Sequence, residues 1–168
     1  QWTPYELGEI EYISKTAIRI TDDISIDLFN VSCADSDGDF ANITIKVSGE
    51  LKPGNVISVR IIAKGKYDKS KQVTISNIKV YGDPEITYKY VDYVNIESTP
   101  VPDYSYFEAK AVDSFGEALE VKVYYDNDYK IGEFANVVLE TIDLAGNVAT
   151  ETLENIAIYG APVLSYET

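Results

Sequence analysis

The chain has 168 residues, 45% of them hydrophobic, and a formal charge of −14 from 28 acidic and 14 basic side chains. That apolar content suffices for packed cores, yet no run approaches the ~18 apolar residues of a membrane span, which excludes direct membrane insertion through such a segment. The acidity repels phosphate backbones, so no nucleic-acid partner is expected, and the absence of histidine removes His-based acid–base and Ser-His-Asp chemistry.

In chain order, the first predicted strand carries Phe29, Val31 and Cys33 on one face. Cys33, the single cysteine, then reads as small core packing without a disulfide. Asn42 to Ser48 alternates apolar and polar residues, as a half-buried strand requires. Gly54 punctuates a turn before a strand with Ile57, Val59 and Ile61 inward. The last strand of this stretch changes phase, since Val73 and Ile75 are odd-numbered while Ile78 and Val80 are even-numbered. One inserted residue near Asn77 restores inward packing, so a β-bulge is expected there. The same series follows in the second half: Phe107, Ala109 and Ala111, then Glu120 to Tyr125, then Ala135, Val137 and Leu139 after Gly132, then a phase break at Asn155.

These two series are an internal repeat. Phe29 and Phe107 lie 78 positions apart, and so do Asp35-Ser36-x-Gly38 and Asp113-Ser114-x-Gly116, Lys52-x-Gly54 and Lys130-x-Gly132, and Tyr81-Gly82-x-Pro84 and Tyr159-Gly160-x-Pro162. The same ungapped offset pairs Tyr12 with Tyr90, Ile18 with Ile96 and Thr21 with Thr99. The expected organisation is therefore module 1 over residues 1–82, module 2 over 83–160, and an opening strand of a further repeat or a C-terminal tail over 161–168. Short Tyr-Gly-x-Pro junctions predict stiff joints and a semi-rigid rod. Charge divides unevenly, because residues 1–82 hold ten basic and eleven acidic side chains whereas 83–168 hold four and seventeen.

Ala111-Val112-Asp113-Ser114-x-Gly116, Gly132-Glu133-Phe134 and Thr141-Ile142-Asp143-Leu144-Ala145-Gly146-Asn147 resemble the bacterial immunoglobulin-like repeats of surface and secreted proteins, including the hyalin-repeat-like group. The resemblance implies an all-β chain of two tandem immunoglobulin-like β-sandwich modules, with the Asp-x-Ala-Gly-Asn segment as the hairpin before the final strand. It further implies a non-enzymatic spacer or adhesion module, extracellular or on the bacterial cell surface, and a monomer within a longer multidomain chain. The first copy has Lys66-Tyr67-Asp68-Lys69-Ser70 where Leu144 to Val148 would lie, and joins the family only through the repeat.

Two sets of residues merit testing as sites. Asp35, Asp37 and Asp39 alternate as hard oxygen ligands for calcium would, although the EF-hand order is broken and a solvated turn is the simpler reading. Calcium is the one cofactor these residues suggest; zinc lacks its nitrogen and sulfur ligands. Tyr104, Tyr106, Tyr124 and Tyr129 could stack on sugars, with cell-wall or host glycans or surface proteins as partners, although tyrosine also suits half-buried strands. The Lys64, Lys66, Lys69 and Lys71 run on the expected hairpin of the first copy could meet an acidic polymer, or simply solvate a loop.

Overall fold

The computed structural model describes residues 3–96, 102–126 and 130–160. The chain divides into two compact units, Gln1–Gly82 and Asp83–Thr168. Regular structure among the described residues is all β, and no helix is long and apolar enough to cross a membrane.

In the first unit, β1 (Ala17–Arg19), β2 (Asn42–Ser48), β3 (Val56–Lys64) and β4 (Ser70–Tyr81) form one sheet in the order β1-β4-β3-β2. The β1 strand runs parallel to β4, and the other pairs are antiparallel. A second layer is drawn together by the bridges Leu7↔Asp35, Glu11↔Ser32 and Ala34↔Phe40. Between the layers lies a core that includes Leu7, Ile10, Phe29, Cys33, Val59 and Ile61. The β3 strand supplies most of it because alternate residues point inward, and Ile57, Val59, Ile61 and Ala63 are all buried. Truncating Ile61 to alanine would cost about 2–5 kcal/mol, the usual range for a fully buried isoleucine.

The second unit contains β5 (Glu85–Thr87), β6 (Tyr93–Asn95), β7 (Lys110–Val112), β8 (Ala118–Leu119), β9 (Lys122–Tyr125), β10 (Phe134–Ile142) and β11 (Val148–Tyr159). They form a four-stranded sheet, β6-β11-β10-β9, and a three-stranded sheet, β5-β7-β8. The chain changes sheet twice, from β5 to β6 and from β8 to β9. Both sheets contribute to one core, from Ile86 and Ala111 on one side to Val137, Leu139 and Ile156 on the other.

The expected bulges are present. Ile57 faces Ile78 while Val59 faces Ile75, so Ser76 and Asn77 stand opposite Ser58 alone. Likewise Ala135 faces Ile156 and Val137 faces Leu153. Asn77 and Asn155 take φ of 59° and 55°, a left-handed conformation that asparagine tolerates better than most side chains. The consequence is that Ile75, Ile78 and Val80 are all buried despite their broken parity.

Three expectations need correction. The ungapped offset fails at the N-terminal end of each copy, because Ile18 faces Val80 and Val94 faces Ile158, which makes Ile18 the counterpart of Val94 and not of Ile96. Ile20 N–H bonds the Tyr81 carbonyl as Ile96 N–H bonds that of Tyr159, so Ile96 matches Ile20 and Tyr12 matches Tyr88, not Tyr90. The spacing is thus 76 up to Ile20 and Ile96 and 78 from Phe29 and Phe107 onward. The second copy holds two more residues in the intervening segment.

Phe29 does not open a strand. It lies in a tight turn closed by the Val31 N–H on the Ile26 carbonyl at 2.9 Å, matched by the Ala109 N–H on the Tyr104 carbonyl at 2.9 Å. Asn30 and Glu108 end these turns with φ of 49°, which swings each phenylalanine inward to full burial. Finally, the strand expected over Glu120 to Tyr125 begins only at Lys122. Its chain is crossing between sheets at that point, and the Thr141 hydroxyl satisfies the Glu120 carbonyl at 2.8 Å.

Candidate functional site

The four loops that end in short hairpin turns share one backbone device. An N–H at the first position bonds the carbonyl four residues on: Asp35 to Asp39, Gly65 to Lys69, Asp113 to Glu117 and Asp143 to Asn147, at 2.8–3.0 Å. In three of them an aspartate side chain completes the turn. Asp35 Oδ1 accepts the N–H groups of Asp37 and Asp39, Asp113 Oδ1 those of Phe115 and Glu117, and Asp143 Oδ1 those of Ala145 and Asn147. Short aspartate side chains are selected here because they satisfy donors that the ladder leaves unpaired.

This accounts for much of the candidate metal cluster. One oxygen from each of Asp35, Asp37 and Asp39 lies within 4.8 Å of the others. Asp35, however, already accepts two backbone donors on Oδ1 and the Tyr5 hydroxyl on Oδ2 at 3.0 Å. Asp37 and Asp39 share the Lys66 ammonium, at 3.0 and 2.6 Å. Burial pushes the Asp35 carboxyl up, but the Asp39 N–H, Tyr5 hydroxyl, Asp37 N–H and Lys66 charge together outweigh it and hold it below its ordinary value. Hydrogen bonds to Asp39 and then Asp37 raise the Lys66 ammonium above its ordinary value. A lysine therefore supplies positive charge among the carboxylates that a cation would need.

Tyr5 and Gly65 were missed by sequence reasoning. Gly65 is the counterpart of Asp143, so the loop of the first unit lacks a capping carboxylate, and the Tyr5 hydroxyl takes over by accepting the Lys66 N–H at 2.9 Å. The signal was available in the repeat, as a glycine standing where the other copy has a capping aspartate.

The four tyrosines do not converge. Tyr104 is half exposed and lines a groove of about 600 Å³ with Tyr88 and Lys89. Tyr106 turns the other way, its ring edge-on to Phe107 at 5.3 Å and its hydroxyl donating to the Tyr93 carbonyl at 3.3 Å. Burial raises its phenol above the ordinary value. Tyr124 is half exposed on β9, and Tyr129 lies outside the described residues. Of the hairpin lysines, Lys66 is held as above and Lys71 pairs with Glu9 at 2.8 Å. No family model and no curated protein matches the chain.

Proposed function

We propose that the chain is a pair of immunoglobulin-like β-sandwich modules acting as a non-enzymatic spacer in a bacterial cell-surface or secreted protein. The observation that carries this reading is the reuse of one structural plan. Each unit has its own core, the same left-handed asparagine in its last strand, and turn carboxylates committed to backbone donors. Carboxylates and aromatics spent in this way favour a scaffold over a reaction centre. Small-angle scattering on the full chain tests the proposal: an elongated, monomeric particle is expected, and a compact globule would contradict it.

A second reading, a glycan- or protein-binding adhesin module, is favoured by the groove beside Tyr104 and Tyr88. Exposed aromatic faces with nearby polar groups suit sugar rings. An array of host and cell-wall glycans, probed with and without calcium, tests it. Specific binding lost in Tyr104→Ala would establish it, and silence in both conditions would remove it.

A further inference from the structure

The hairpin joining β3 to β4 departs from its counterpart in the second unit in a way that scaffolding does not explain. Both hairpins have the same length, since Lys64 faces Ser70 as Ile142 faces Val148. In the second unit the turn is relaxed, with Gly146 in the left-handed position at φ 91°. In the first, two consecutive non-glycine residues, Tyr67 and Asp68, both sit at φ 58°. Such strain is kept where something depends on the side chain it presents.

Tyr67 is 74% exposed and its ring meets Tyr5 edge-on at 5.2 Å. With Pro4, Tyr5, Asp37 and Lys69 it lines a cleft of about 570 Å³. Charge in the cleft is lopsided. Lys66 neutralises Asp37 and Asp39, whereas the Lys69 and Lys64 ammonium groups have no carboxylate partner among the described residues. Lys64 and Lys69 also line an adjoining hollow of about 310 Å³. The counterpart hairpin, Asp143 to Ala149, contains no lysine at all.

We infer that this cleft is a binding site for a carboxylated pyranose, a uronic-acid-type unit of a polysaccharide. The flat apolar face of the sugar covers the exposed Tyr67 ring beside Pro4, and the sugar carboxylate takes the free Lys69 ammonium, with Lys64 placed for the next acidic unit. A neutral sugar would leave both lysines unanswered. An acidic peptide would answer them but would bring no rigid face to the ring. The site lies within one unit and stands whether or not the chain is a spacer; it extends the adhesin reading to a different unit and a named sugar class.

Titration calorimetry of the full chain with tri-galacturonate, a neutral galactose trisaccharide and a short polyglutamate tests the inference. Binding of the uronate alone is expected, weakening as salt rises. Lys69→Gln should weaken it about tenfold, the usual loss for one charge-assisted contact. Tyr67→Ala should abolish it, and Tyr67→Asn, which keeps the left-handed turn, should do the same in a fully folded chain. Tyr104→Ala should bind as the unchanged protein does. Uronate binding that survives Tyr67→Asn and Lys69→Gln, equal binding of the neutral sugar or the polyglutamate, or no binding of the uronate would each overturn the inference. Loss only in Tyr104→Ala would overturn it in favour of the groove on the second unit.

Discussion

The Tyr5 hydroxyl fills the space that a side chain at Gly65 would need, while donating to Asp35 and accepting the Lys66 N–H. Gly65 has no left-handed φ, so room alone excludes a larger residue. Gly65→Ala is expected to destabilise the first unit by about 1–3 kcal/mol through this overlap. Tyr5→Phe should cost about 1–2 kcal/mol by leaving the Lys66 N–H without its acceptor. Because removing the hydroxyl also removes the overlap, the double variant should cost less than the sum of the two. Urea unfolding of the four proteins measures this, and strict additivity would show that the two residues do not compete for one space.

Asp35 should make the first unit acid-sensitive in a defined window. Its folded value lies below the ordinary 3.8. A depressed carboxylate stabilises the fold fully above its unfolded value, and that contribution disappears as pH falls through the folded one. Asp35→Asn is therefore expected to be less stable than the parent at pH 7, with the gap closing below about pH 4. Urea midpoints for both proteins between neutral and strongly acidic pH would reveal a constant gap if the carboxylate charge plays no part.

With Lys66 between Asp37 and Asp39, millimolar calcium or a chelator should leave the melting temperature of the unmodified chain unchanged. Lys66→Met removes the resident positive charge and leaves three neighbouring carboxylates. If such a site bound calcium at about 1 mM, ten times that concentration would stabilise the variant by about 1.4 kcal/mol. A calcium-dependent shift in the parent, or none in the variant, would show that Lys66 is not what keeps the ion out.

The bulges were legible in the sequence because they rest on a parity break that any inward-facing strand must repair. The turn at Asp143 to Asn147 was legible for a similar reason, since its chemistry is local. The register of the first strands was not. Tyr12 with Tyr90 and Ile18 with Ile96 are identical pairs at the spacing of 78, and identity outweighed the burial logic that places Ile10 with Ile86 and Ile18 with Val94. The Tyr5 and Gly65 relationship joins residues distant in sequence, and it exists only once the fold has brought them together.

Cys33 is buried, with its thiol donating to the Gly8 carbonyl at 3.4 Å, and burial raises it above the ordinary value. A thiol held neutral and covered should be unreactive toward a disulfide reagent until the unit unfolds. The second unit holds Ala111 at the equivalent position, so Cys33→Ala should fold and cost about 1 kcal/mol. Fast labelling of the native chain would contradict this placement.

Asn155 separates two contributions to the last bulge. Its φ of 55° strains any β-carbon, while its N–H bonds Asn136 Oδ1 at 3.0 Å. Asn155→Ala keeps the N–H but adds the full left-handed penalty, an expected loss of about 1–2 kcal/mol. Asn155→Gly keeps the N–H and removes the penalty, so it should stay within about 1 kcal/mol of the parent, the remaining cost being chain entropy. Asn136→Ala leaves the φ alone and costs about 1 kcal/mol through the lost acceptor. Thermal unfolding ranks the three. Alanine and glycine at position 155 with equal stabilities would show that the bulge does not hold that residue in a left-handed conformation, and the phase change in β11 would then need a different backbone path.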